Sequence, residues 1–215
     1  MMKSEKKIKR LGIMGGTFDP IHTGHLFAAD TAYHNLQLDE VLFIPSGHPP
    51  HKNEEFIASS DYRLQMVRLA TKDVPYFAVS GMEITKKTKS YTVETLKAIK
   101  KISKYETSEL FFITGLDAVC DILTWKEPEQ ILELCNFVSI TRAHASLKKF
   151  NSLPKRIREK IILLKEPELE ISSTDIRNRI QTHKSVRFML PREVYEFIVS
   201  NKLYEIKEET KHGKA

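Results

Sequence analysis

Ile8-Lys9-Arg10-Leu11-Gly12-Ile13-Met14 runs into Gly15-Gly16-Thr17-Phe18-Asp19-Pro20-Ile21-His22-Thr23-Gly24-His25, and apolar residues then recur at Leu26, Ala29, Tyr33 and Leu36. The first segment has the β-branched and apolar content of a buried strand. The last has the spacing of a helix with one apolar face. Four of the eight glycines fall between Gly12 and Gly24, so backbone freedom is concentrated at the junction, where a ligand needs close approach. A strand-to-helix turn of this kind aims N–H groups and the positive end of a helix dipole at an anion. His22 and His25, three apart at the helix start, can turn their rings to one side. The reading is a phosphate cradle with two imidazole donors. It is not the usual P-loop, because no Gly-Lys-Ser/Thr closes it, nor a Gly-X-Gly-X-X-Gly dinucleotide turn.

Outward from this unit, strands and helices alternate. Val41–Pro45 reads as a second buried strand, followed by a Gly-, Pro- and His-rich loop over 46–53 and a helix over about 61–71 with Met66, Val67 and Ala70 on one side. Phe77–Ser80 is a third strand, and Val93, Leu96, Ile99 and Ile102 repeat at helical spacing. Leu110–Ile113 and Phe137–Ile140 are further apolar runs, Ile157, Ile161 and Leu164 suggest another helix, and Leu169–Ile171 a short sixth strand. Short connectors between alternating elements predict parallel βαβ units and a doubly wound, Rossmann-like α/β sheet. In such sheets ligands bind outside the carboxyl ends of the strands, where the signature loop leaves strand one. The expected organisation is one domain over 1–215: an α/β core over about 8–172, a helical part over 173–204 and a polar tail over 205–215.

With 41% hydrophobic and 29% charged residues the composition is that of a soluble globular protein. No apolar run approaches the ~20 residues of a membrane span. The basic N-terminus lacks the apolar stretch of a signal peptide, and Cys120 and Cys135 make neither a disulfide scaffold nor a zinc site. These features point to the cytoplasm and no membrane partner. The net charge of +6 invites a nucleic-acid reading. Much of the excess, however, lies in the first ten residues, and no interleaved aromatic/basic stripe accompanies it. A positive field also gathers polyanionic nucleotides. His22 and His25 lack a third ligand that would make them a metal site.

The stretch from Gly15 to His25 resembles the His-X-Gly-His signature of the nucleotidylyltransferases. In its Gly-Gly-Thr-Phe-Asp-Pro-Ile-His form it is most similar to the bacterial nicotinate mononucleotide adenylyltransferase family. Ile171-Ser172-Ser173-Thr174-Asp175-Ile176-Arg177 resembles the Ile-Ser-Ser-Thr-X-X-Arg segment that contacts the triphosphate in that superfamily. Read from the residues, it is a helix start with hydroxyls, N–H groups and an arginine, which is a second anion site. Tyr91–Leu96 resembles the element that lines the nicotinate site, with Thr92 either capping a helix or offering its hydroxyl to a carboxylate. Asp117, after Gly115, is placed to accept from ribose hydroxyls. Trp125, the one tryptophan, matches the residue on which the family stacks the pyridine ring. Lys126 stands where the family often has an aromatic residue, so its backbone N–H would make the contact. His51-Lys52 resembles the family's His-Lys loop. Arg142 matches an arginine near the acceptor phosphate, although Ala143-His144 replaces the usual Pro-Gly.

The resemblance implies AMP transfer from ATP to nicotinate mononucleotide, giving nicotinate adenine dinucleotide and pyrophosphate in NAD synthesis. His22, His25 and Arg177 would be catalytic. ATP would be held by Gly15, Gly16, Thr17, Phe18, His22, His25, Gly115, Asp117, Ser172, Ser173, Thr174 and Arg177, and the acceptor by Thr92, Trp125, Lys126, Arg142, His51 and Lys52. Mg²⁺ is expected to bridge phosphate oxygens with few protein ligands. The partners expected are these two small molecules and no nucleic acid. Self-association is left open. A nucleotidylyltransferase with another acceptor, or a nucleic-acid-binding protein on the same fold, are the competing readings.

Overall fold

The computed structural model describes residues 7–47, 57–86, 88–141, 147–165 and 169–205. Six strands form one sheet: β1 (Arg10–Gly16), β2 (Glu40–Pro45), β3 (Phe77–Val79), β4 (Glu109–Ile113), β5 (Asn136–Thr141) and β6 (Ile161–Lys165). Their order is β3-β2-β1-β4-β5-β6 and every pairing is parallel. The chain winds outward in one direction from β1 to β3, then restarts on the other side of β1 at β4. The switch point of the sheet therefore lies between β1 and β4, and their carboxyl ends form the crevice there.

The continuous apolar runs arise because both faces of the sheet are covered. Leu11, Ile13, Leu110, Phe112 and Phe137 point into one core, which α3 (Thr92–Ile99) and α5 (Pro128–Leu134) close. Met14, Phe43, Phe111, Ile113 and Val138 point into the other, closed by α1 (Thr23–Asn35), α2 (Ser60–Thr71), α8 (Ser173–Gln181) and α9 (Arg192–Ser200). Short helices α4 (Leu116–Cys120), α6 (Lys148–Ser152) and α7 (Lys155–Arg158) complete the connections.

Three sequence expectations are corrected. Ile157, Ile161 and Leu164 do not share a helix: α7 ends at Arg158, and Ile161-Ile162-Leu163-Leu164 is the sixth strand, paired with β5. Leu169–Ile171 is consequently not a strand but the approach to α8. A four-residue apolar run satisfies both periodicities locally, and pairing with β5 decides between them. Ile102 lies beyond the end of α3 and is exposed. No helix among the described residues is long and apolar enough to cross a membrane.

Candidate active site

The glycine loop leaves β1 at the switch point and enters α1 through His22, the residue at the N-cap. Phe18 turns the loop with φ 51, a left-handed conformation rare for an aromatic residue. Burial holds it there: the ring is 2% exposed and packs against Phe43 and, edge to face at 5.1 Å, against His25. His22 and His25 stack with ring centroids 3.7 Å apart. Gly24 makes room for this arrangement, since a Cβ there would lie 3.1 Å from His22 Nδ1. The His22 backbone N–H donates to His25 Nδ1 at 3.2 Å, so a neutral His25 carries its proton on Nε2. His22 is almost fully buried, and burial lowers its pKa to about 4. It is a neutral imidazole at pH 7.

The start of α8 packs onto this loop. Ser172 caps the helix, its Oγ accepting from the Asp175 N–H, while Ser173 Oγ donates to the Pro20 carbonyl at 2.9 Å. Arg177 Nη1 donates to the Asp19 carbonyl at 2.8 Å and lies 3.4 Å from Asp19 Oδ2, and Nη2 donates to Thr174 Oγ1. Asp19 is 1% exposed, and its Oδ1 accepts from the Ala58 N–H and the Tyr204 hydroxyl. The two segments singled out in the sequence, 153 residues apart at the Ser173–Pro20 bond, are thus one unit.

Two cavities open at the carboxyl ends of the strands. The smaller, of about 440 Å³, is lined by Gly15, His22, His25, Gly115, Ser172, Ser173 and Thr174 among others. The larger, of about 790 Å³, is lined by Gly15, Gly16, Thr17, Ser46, Glu83, Thr92, Trp125 and Lys126 among others. Gly15 and Thr114 line both, so the cavities meet at the ends of β1 and β4. Thr92 is the first residue of α3, whose N-cap is Tyr91, so its hydroxyl is not the cap. Trp125 is held by T-shaped contacts to Phe112 and Phe137, each at 6.0 Å. Lys126 Nζ lies 2.9 Å from Glu94 and 4.3 Å from the centre of the Tyr91 ring, so its charge is already partnered. Glu83 accepts from Thr95 Oγ1 at 2.5 Å, and burial raises its pKa.

Three expected residues line neither cavity. The Phe18 ring is buried beneath the loop, Asp117 is exposed on the first turn of α4, and Arg177 stands beside Asp19. His51, Lys52 and Arg142 lie outside the described residues. Sequence reasoning missed Thr114, Asp19, Tyr204 and Arg63. Two of them left a signal: Asp19 lies within the Gly15–His25 stretch itself, and Arg63 falls three and four residues before Met66 and Val67, in register with the buried stripe of α2.

A family model described as cytidylyltransferase-like matches residues 13–179. A probable nicotinate-nucleotide adenylyltransferase of Moorella thermoacetica is 45% identical over 199 residues, covering 91% of this chain and 91% of the relative. One of Clostridium botulinum (strain Eklund 17B / Type B) is 46% identical over 202 residues, covering 92% and 99%. Among solved structures, Plasmodium falciparum nicotinic acid mononucleotide adenylyltransferase complexed with NaAD shares the fold with a TM-score of 0.73 at 21% identity, covering 91% of this chain and 97% of that one. The chain therefore belongs to the cytidylyltransferase-like family and, within it, to the nicotinate-nucleotide adenylyltransferases.

Proposed function

We propose that the two cavities hold the two substrates of the family reaction, in which AMP passes from ATP to nicotinate mononucleotide, giving nicotinate adenine dinucleotide and pyrophosphate. The observation that carries this assignment is the shared wall: Gly15 and Thr114 border both cavities at the switch point. Two substrates that must meet at one phosphorus atom need such a seam. ATP takes the smaller cavity, between the two helix starts, where backbone N–H groups and imidazoles favour anions. The nicotinate ring takes the larger one, against Trp125, with its carboxylate toward Thr92 and the backbone at Lys126.

No protein nucleophile or base is needed. The acceptor phosphate, with a second pKa near ~6, is mostly ionised at neutral pH and attacks the α-phosphorus directly. Catalysis is then alignment plus stabilisation of charge on the transferring group. His22 and His25 are assigned to the α-phosphate and its bridging oxygen, Arg177 to the departing pyrophosphate, and the backbone at Gly15, which borders both cavities, to the non-bridging oxygens. Mg²⁺, when bound, supplies charge neutralisation on phosphate oxygens. The hydroxyl, amide and imidazole lining of the smaller cavity suits an ion carried chiefly by the nucleotide rather than by a carboxylate cage.

Pyrophosphate release with ATP and either nicotinate or nicotinamide mononucleotide tests the assignment. Rapid release with the acid and slow release with the amide is expected, because a carboxamide would point an NH₂ at donors. Equal kcat/KM for both acceptors would refute the Thr92–Trp125 placement and leave the adenylyl transfer standing.

A further inference from the structure

Arg63 is the largest fully buried side chain among the described residues. It lines neither cavity. Its guanidinium donates four hydrogen bonds, all to backbone carbonyls: Nε to Ala58 at 3.0 Å, Nη1 to Thr17 at 2.8 Å and Ser46 at 2.7 Å, and Nη2 to Gly47 at 2.9 Å. These carbonyls belong to three separate segments: the glycine loop after β1, the turn after β2 and the approach to α2. Burial lowers the Arg63 pKa, and the opposing charge of Asp19 offsets part of that shift.

The segments so joined are walls of the acceptor cavity. Gly16, Thr17 and Ser46 all line it, and the Ser46 N–H donates to the Gly16 carbonyl across the same gap. Gly47 is wedged against the opposite wall, where an added Cβ would lie 2.2 Å from the Glu83 carbonyl. Glu83 in turn lines the cavity and holds Thr95 of α3. The turn after β2 is therefore fixed between Arg63 on one side and Glu83 on the other. Lysine cannot reproduce the first contact, because its three donors radiate from a single point and cannot span carbonyls on three segments.

We propose that Arg63 is a positioning residue for adenylyl transfer: by holding the glycine loop and the turn after β2 at a fixed separation, it sets where the acceptor phosphate lies relative to the α-phosphorus at the seam. The proposal rests on the assignment of the larger cavity to the acceptor. An error of about 1 Å in such an alignment costs on the order of 10²-fold in rate. The effect is directional, since Thr17, Ser46 and Gly47 line only the larger cavity or lie behind it, whereas His22, His25 and Thr174 line the smaller.

The test compares wild type, Arg63→Lys and Gly47→Ala, each kept well below its melting temperature and checked for folding by circular dichroism. Gly47→Ala leaves Arg63 intact and displaces the same turn from its other side. Measured quantities are kcat and acceptor KM in pyrophosphate release, and the Kd of a non-hydrolysable α,β-methylene ATP analogue by calorimetry. Both variants are expected to lower kcat by about 10–100-fold and raise acceptor KM, with the analogue Kd unchanged within about threefold. A variant that is folded yet has wild-type kcat and acceptor KM overturns the proposal. So does parallel loss of analogue and acceptor binding, which marks general loosening. Should Arg63→Lys not fold, Gly47→Ala decides on the same criteria. Failure of the wild type to release pyrophosphate with nicotinate mononucleotide would instead refute the acceptor assignment, and is read from the same experiment.

Discussion

His22 makes the stability of this protein depend on pH in a way that can be worked out. Its pKa falls from 6.5 to about 4 because the ring is buried beneath the glycine loop. The unfolded chain therefore binds a proton near pH 6.5 that the folded chain refuses until about pH 4. The folded-state pKa is depressed, so the contribution is fully present above pH 6.5 and is lost as the pH falls through that window toward 4. With about 1.4 kcal/mol per unit, the loss reaches about 2 kcal/mol at pH 5 and about 3 kcal/mol below pH 4. The assay is urea unfolding of wild type and His22→Gln at pH 7.5 and pH 5, with the ring titration followed by NMR. The variant lacks this term, so its drop in stability between the two pH values should be smaller by about 2 kcal/mol. An equal drop in both proteins, or a ring that titrates near 6.5, would refute the reasoning. A further consequence is kinetic: His22 stays neutral between pH 6 and 8, so an acidic limb in kcat/KM there does not report this imidazole.

His25→Ala should lower kcat by about two decades, the scale of a lost preorganised donor, with the far-ultraviolet spectrum unchanged; near wild-type turnover would remove the residue from the mechanism. Arg177→Lys should raise the KM for ATP with little effect on acceptor KM at saturating ATP, because lysine lacks the planar fork; a change confined to acceptor KM would place the residue on the wrong substrate. Trp125→Ala should raise acceptor KM and leave ATP binding intact, since stacking adds roughly 0.5–1.5 kcal/mol, whereas Lys126→Ala should cost little because its ammonium already pairs with Glu94. Tyr204→Phe removes a hydroxyl that donates to the buried Asp19 at 2.8 Å. It should lower unfolding free energy by about 1.5–3 kcal/mol, measured by urea titration.

Where the sequence was read correctly, one local signal sufficed. Leu110–Ile113 is apolar at every position, and a strand covered on both faces requires that. Gly15 to His25 joins such a strand to a helix, and that strand–loop–helix unit needs no tertiary information to be read. Ile161–Leu164 failed because four apolar residues fit either period, and only pairing with β5 separates them. The seam was illegible for a deeper reason. Thr114 borders both cavities because β4 lies beside β1, and strand order is a long-range property that no window of sequence contains. Arg63 was overlooked because arginine is mostly a surface residue, although its register with Met66 and Val67 marked it as inward. Asp19 and Tyr204 meet across 185 residues, which no spacing rule anticipates.

The positive charge beside the glycine loop does not depend on the titration of His22. One buried carboxylate, Asp19, faces two guanidinium groups, with Arg177 3.4 Å from its Oδ2 and Arg63 coupled to it electrostatically. The local balance is positive and is carried by arginines, which remain charged throughout the working range. His22 adds a hydrogen-bonding group without adding charge. The attraction these arginines contribute is therefore the same at pH 6 and pH 8. Arg177 is oriented in the same way, because its bonds to the Asp19 carbonyl and Thr174 hold the guanidinium at the junction of the glycine loop and the start of α8. Orientation set by the folded chain is free energy that substrate binding does not have to supply, and in a reaction without a protein nucleophile that saving is the main contribution the residues can make.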